Sequence, residues 1–311
     1  MPALLALLFL LAAAGPTAAE EGVALRWLGV AGFSIRAGET VLLHDPYLSR
    51  PGLLQTLLRS YQPDLAVLEP LLAAGSPAPE LARARLVLVG HSHFDHLGDV
   101  PWIAGRSGAG VAGSATTAAI ARGYGLPAQR LQVVGPGQTL REGPFEIRVV
   151  ESRHARVLAG RVPMPGEVSE PPEAPIHAYS FKMGGALGYL VTHLPSGLRI
   201  FLLSSAGLHP PALQALAEEG VRVDALLPAI QGRPPGFAES LVRALRPRLV
   251  VPHHFDDFWR GLDAADPGAP RDPEDLAAFE QEVLEAARAA GLQVEVRRPG
   301  LFEPLVLAPA P

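Results

Sequence analysis

Between residues 23 and 48 the apolar positions fall in short runs broken by glycine, a pattern that predicts strands joined by tight turns. Val23-Ala24-Leu25-Arg26-Trp27 leads to Gly29, and Phe33-Ser34-Ile35-Arg36 leads to Ala37-Gly38. Val41-Leu42-Leu43 then runs into His44-Asp45-Pro46-Tyr47. Residues 51–84 are rich in Leu and Ala and predict one or two short helices, broken by Pro63 and by Pro77-Ala78-Pro79. Leu86-Val87-Leu88-Val89 is a continuous apolar run of buried-strand type, ended by Gly90. A helix is expected over 114–123 with Ser114 as N-cap, and a strand ends at Val149-Val150. Further strands are expected around 179–182, 188–193, 199–203, 249–251 and 294–296. Asp272-Pro273 opens a helix whose apolar face is Leu276, Phe279, Val283 and Ala287, stopped by Gly291. Strands alternating with helices put the chain in the α/β class. No repeat or linker divides it, so residues 20–311 are expected to form one domain.

One stretch breaks this rhythm. Residues 157–179 carry prolines at 163, 165, 171, 172 and 175, with Gly160, Gly166 and three glutamates. A structureless loop this long is uncommon unless it is functional or disordered. Two readings stand, a lid over a substrate and a disordered surface insertion.

The chemistry concentrates in residues 91–99, H-S-H-F-D-H-L-G-D. His91, His93, Asp95 and His96 occupy six positions, and imidazole and carboxylate are the ligand types of zinc and similar divalent ions. The cluster lies on the loop leaving a core strand, where α/β folds place their reactive groups. The chain has no cysteine, so thiol nucleophiles, disulfides and thiolate-bound zinc are excluded.

The pattern H-x-H-x-D-H resembles the signature of the metallo-β-lactamase-fold superfamily. The resemblance implies an α/β (α+β) four-layer αββα sandwich with a one- or two-metal site along one edge of the sheets. It implies that His91 and His93, with a third histidine downstream, hold the first ion. His154 stands at the expected place for that third ligand, after a strand and before the long loop; His177 and His193 are its competitors. Asp95 and His96 match the second-site ligands, completed by a histidine near the C-terminus. There Leu249-Val250-Val251-Pro252-His253-His254 ends in two candidates. The family pattern Pro, any residue, His selects His254, and leaves His253 behind the site or facing the substrate.

The sequence departs from the family at Ser204-Ser205-Ala206-Gly207, where a bridging Asp is usual and Ser205 takes its slot. Between two dications that missing charge is worth on the order of several kcal/mol. One tight ion is therefore expected, zinc with iron and manganese as alternatives, and the second site is doubtful unless Asp99, Asp224, Asp256 or Asp257 compensates. His44 is expected to be packed or hydrogen-bonded, and Asp45 to support the metal loop. The opening strands followed by Asp-Pro look more like the lactonase and phospholipase-D-like branch than the antibiotic-hydrolysing enzymes.

The implied function is a metal-dependent hydrolase acting on a small ester, lactone or phosphodiester through a metal-bound hydroxide. Asp95 would orient or deprotonate the attacking water, and Ser205 or His253 would help stabilise the oxyanion. The alternative is a catalytically silent ligand-binding protein on the same fold. A net charge of −5 gives no basic patch, so nucleic acid is not an expected partner. Residues 1–19, with the apolar stretch 3–14 and small residues before Ala19, read as a signal peptide for a periplasmic or secreted protein. The rival reading is an N-terminal membrane anchor. No later run looks transmembrane.

Overall fold

The computed structural model describes residues 22–309; the expected signal peptide at 1–19 lies outside them. Among the described residues two seven-stranded sheets lie face to face. In the first, β1 (Val23–Gly29), β2 (Gly32–Ala37) and β3 (Thr40–His44) form an antiparallel meander. It continues in parallel register through β4 (Leu86–Leu88), β5 (Gly110–Gly113) and β6 (Leu131–Val133). The second sheet repeats the scheme. β7 (Thr139–Glu142), β8 (Phe145–Glu151), β9 (Leu187–His193) and β10 (Arg199–Leu203) are antiparallel. β11 (Ala225–Pro228), β12 (Leu249–Val250) and β13 (Glu295–Val296) follow in parallel. β14 (Pro304–Leu307) returns to pair with β1 in the first sheet.

The side-chain alternation explains the layering. Val23, Leu25 and Trp27 of β1, with Leu42, Leu86 and Leu88, join Phe145, Ile147, Val149, Ile200 and Leu202 in one core between the sheets. The intervening positions Leu28, Val41, Leu43, Val87 and Val89 point the other way. They pack with Leu97, Val100, Ile103 and Ile120 in a second core beneath the helices of the first half. On the far side, Phe237, Leu241, Leu276, Phe279 and Val283 cover the second sheet from the helices Phe237–Leu245 and Pro273–Ala289. Parallel strands need crossovers and cover on both faces, and these helices supply both. The result is the expected four-layer αββα sandwich.

The expected helix ends hold. Ser114 Oγ accepts from Thr117 N–H at 3.2 Å, and Asp272 caps Glu274 and Asp275 at 3.1 and 3.0 Å. The strand expected around 179–182 is instead a 3-10 turn, Ala178–Ser180. Here Phe181 sets the conformation: it is buried against the rings of Tyr61 and Tyr124, at 5.6 and 5.8 Å, so the segment docks by a side chain and not by a ladder. The proline-rich stretch 157–179 is irregular but anchored. Met183 and Gly184 N–H groups donate to the Met164 and Gly166 carbonyls, and Tyr61 N–H donates to the Ile176 carbonyl. Met164, Val168 and Ile176 pack on the helix-side core. Among the described residues no helix is long and apolar enough to cross a membrane.

Candidate metal centre

β4 delivers the metal-type cluster to the edge where the two sheets meet. Gly90 permits that junction: a Cβ there would lie 1.7 Å from Ser204 Oγ at the end of β10. Tyr189 OH donates to the Val89 carbonyl at 2.7 Å, tying the second sheet to the same corner. Past Gly90 the chain turns into the short helix Phe94–Leu97, with His93 at its N-cap. That turn puts Asp95 and His96 side by side.

Two donor triads result. His91, His93 and His154 bring one ligand atom each within 4.8 Å of one another, and so do Asp95, His96 and His254. In the first, His91 Nε2 lies 3.1 Å from His93 Nδ1, and the His154 ring centroid is 4.7 and 4.8 Å from theirs. In the second, Asp95 Oδ2 is 3.5 Å from His96 Nε2 and 3.4 Å from His254 Nε2. The triads abut, with the His91 and His96 centroids 3.8 Å apart. His177 stacks on Tyr179 and His193 bonds to Ser196, so neither competitor joins.

Outer contacts fix the tautomers. His154 Nδ1–H donates to the Ala155 carbonyl at 2.6 Å, and His96 Nδ1–H donates to Asp45 Oδ2 at 2.8 Å. Both rings thereby present a bare Nε2 to the centre, the arrangement typical of metal-binding histidines. Asp45 Oδ1 also accepts the Gly90 N–H at 2.8 Å, so it supports the loop as expected. His44 is hydrogen-bonded on both sides, donating from Nδ1 to the Ala31 carbonyl and accepting the Ser204 hydroxyl at Nε2, each at 3.0 Å.

Burial holds the first triad neutral. It drives His91 well below the usual imidazole range, His93 to about 3 and His154 to about 4, against weaker pulls in both directions from neighbouring groups. For His96 and Asp95, burial opposes the charged forms but is outweighed. The Asp95 and Asp45 carboxylates hold His96 above its ordinary value, and His96, His254 and His93 hold Asp95 below the carboxylate range.

This donor set fits a divalent cation. The His91 and His93 rings face each other nitrogen to nitrogen, while His91 Nδ1 and His93 Nε2 are buried without a partner among the described residues. With both rings neutral, a cation between His91 Nε2 and His93 Nδ1 would be bound by the facing lone pairs, and a carboxylate in the second triad adds negative charge where another ion would sit.

Two expected participants are directed elsewhere. Ser205 Oγ accepts the Ala155 N–H at 3.0 Å, so its hydroxyl braces the backbone beside His154. His253 has no exposed surface; its Nε2–H donates to the Leu227 carbonyl at 3.1 Å and its ring lies edge-on to Phe33. It therefore faces no substrate. His254, in left-handed backbone (φ +57°), is the neighbour that reaches the site, with its Nε2 3.4 Å from Asp95 Oδ2. The acidic residues that could replace the missing bridge are committed to other partners. Asp99 binds Leu48, Ser49 and Tyr61, and Asp224 binds Arg199 and Arg248. Asp256 binds Val30 and Arg50, and Asp257 binds Trp259. Ser204, which donates to His44, and Arg50, which pairs with Asp256, have no local sequence signal beyond polarity beside the Asp45 and β10 turns.

Fold and centre together define a metallo-β-lactamase-type protein. Residues 24–254 match the family described as Beta-lactamase superfamily domain, and the chain belongs to it. It is similar to a UPF0173 metal-dependent hydrolase of Anaeromyxobacter dehalogenans, 28% identical over 292 residues, covering 89% of this chain and 90% of the relative. Another relative of that name, from Pyrobaculum arsenaticum, is 27% identical over 281 residues, covering 89% and 97%. Among solved structures it is similar in fold to Igni18, a metallo hydrolase of Ignicoccus hospitalis, with a TM-score of 0.59. The identity there is 20%, over 92% of this chain and 98% of the other.

Proposed function

We propose that this protein is a metal-dependent hydrolase of small ester, lactone or phosphodiester substrates. In this reading His91, His93 and His154 hold a tightly bound ion, zinc in the first instance. Asp95, His96 and His254 hold a second, weaker one. The observation that carries the reading is the pair of abutting triads with outer hydrogen bonds that leave imidazole Nε2 atoms bare. The names of the relatives agree with it.

An ion bound here supplies Lewis acidity and lowers the pKa of a coordinated water to about 7. The chain's own groups do the rest. Asp95 has low proton affinity, so its carboxylate orients a water by accepting a hydrogen bond and is a poor store for the proton. Its oxygen is steered by His96 and His254, and Asp45 keeps His96 in register. Five of the six donors are buried and His154 alone is half-buried, so the substrate approaches on the His154 side. Export by the segment at 1–19 belongs to this proposal as well, and cell fractionation tests it.

The direct test is elemental analysis of protein purified without chelator, paired with a panel of aryl esters, lactones and phosphodiesters. Bound metal with chelator-sensitive turnover of one class supports the hydrolase. Bound metal without turnover on any class favours the silent binder, to which the commitment of Ser205 to Ala155 lends support.

A further inference from the structure

Arg50 is among the largest side chains wholly removed from solvent, and its charge partner lies 206 residues away in the sequence. Its Nη2 donates to Asp256 Oδ2 at 2.6 Å, with both side chains at 0% exposure, and its Nη1 donates to the Pro267 carbonyl at 2.8 Å. Gly29 makes room: a Cβ there would lie 1.8 Å from Arg50 Nη2, and its φ is +92°.

The partner leads straight to the metal centre. Both Asp256 oxygens lie 3.1 Å from the Val30 N–H, while the Val30 carbonyl accepts the His254 N–H at 2.9 Å. Asp256 and His254 thus grip a single residue of the β1–β2 turn from both ends. In the other direction Arg50 follows Leu48 and Ser49, whose N–H groups donate to Asp99 Oδ2 at 2.7 and 2.8 Å. Asp99 lies just past the helical turn that carries Asp95 and His96. A continuous polar chain therefore runs from that turn through Arg50, Asp256 and Val30 to His254. His254 is the one donor of its triad that comes from the second sheet, and it must be placed across the junction.

A buried ion pair is a costly way to fill space, since apolar groups of similar volume serve packing as well. What the guanidinium adds is a rigid fork with several donors, able to lock three chain segments at once. We propose that the Arg50–Asp256 pair is a positioning element for His254, holding the second donor triad closed and so setting the affinity of the second metal ion. This rests on the reading of both triads as ion sites.

The test uses the full chain, stripped with chelator and titrated with Co2+ by calorimetry and visible absorption. Wild type should bind in two steps. Asp256→Asn and Arg50→Lys should weaken the second step about tenfold or more, by analogy with other outer-contact losses, and leave the first unchanged. Affinities are compared as the ratio of second to first step within each sample, so a general loss of stability cancels. Arg26→Met, which breaks the Arg26–Glu80 pair outside this chain of contacts, is the control and should leave the ratio unchanged. If a single variant does not fold, the double variant Arg50→Met/Asp256→Leu carries the same expectation. An unchanged ratio in the Arg50 and Asp256 variants, or an equal change in Arg26→Met, overturns the proposal. A wild type without a second step overturns the two-ion reading itself, and the proposal with it.

Discussion

Asp45 Oδ2 accepts the His96 Nδ1–H at 2.8 Å while Asp45 Oδ1 accepts the Gly90 N–H at the same distance, so one buried carboxylate aims a donor ring and fixes the loop that carries it. Asp45 sits at φ +39°, a conformation that Asp tolerates better than most residues. Asp45→Ala would leave two buried donors unpaired and free the His96 ring. The expected loss is roughly 10–100-fold in metal affinity, the usual cost of removing an outer partner. Competition against a chromogenic chelator measures it, and an affinity within twofold of wild type would remove Asp45 from the site's design.

Gly90→Ala should damage stability and site together. The added methyl would lie 1.7 Å from Ser204 Oγ and 2.5 Å from Ser204 Cβ, so one of the two sheets must shift. Overpacking of this kind costs about 1–3 kcal/mol. The double variant Gly90→Ala/Ser204→Gly removes the obstructing side chain and should recover part of that loss in a denaturant melt. No recovery would place the strain elsewhere.

The first triad sets a pH window. Burial holds His93 at about 3 and His154 at about 4, against 6.5 in the unfolded chain. Between these values the unfolded state binds protons that the folded state does not. The contribution to stability of the metal-free protein is thus fully present above pH 6.5 and is lost as pH falls toward 4. The folded first triad, by contrast, remains deprotonated down to about pH 5. Affinity for the first ion should therefore change little between pH 7 and pH 5, whereas the second triad, with His96 held above its ordinary value, should bind more weakly at the lower pH. Zinc titrations at the two pH values check the second point and melts of the stripped protein check the first.

The parts of this molecule legible in the sequence are those specified locally. The runs in β1 to β3 were legible to within two residues at each end, because their apolar side chains belong to one of two cores. The helix Pro273–Ala289 was readable from its Asp272 cap, its first-turn proline and its apolar spacing. β5, β6 and β11 were not read, since strands of three or four residues owe their form to the neighbours they pair with. The triads were legible in composition, as four donors sit within six residues of one loop. Their supports were not: Ser204 meets His44 across 160 positions and Asp99 meets Tyr61 across 38. The choice of His254 over His253 was legible from the Pro-x-His spacing, and His254 does stand with Asp95 and His96.

His93→Ala should separate the fold from the chemistry. His93 stands at the N-cap of the helix Phe94–Leu97 but makes no side-chain capping bond, and its close contact is with His91 inside the triad, so truncation leaves the helix and the two cores intact. The two cores are built from apolar runs that need no ion, and a chain of this length folds on such burial alone. The loss falls on the first triad, which is left with His91 and His154. Removing a donor should cost more affinity than the roughly 10–100-fold typical of an outer partner. Wild type should retain close to one metal equivalent after dialysis and the variant none, with hydrolysis lost in step and far-ultraviolet circular dichroism unchanged. Two equivalents retained by wild type would show that Asp95 and Asp45 supply enough negative charge to hold a second ion without a bridging carboxylate. Full activity in the metal-free variant would sink the metal-dependent mechanism altogether.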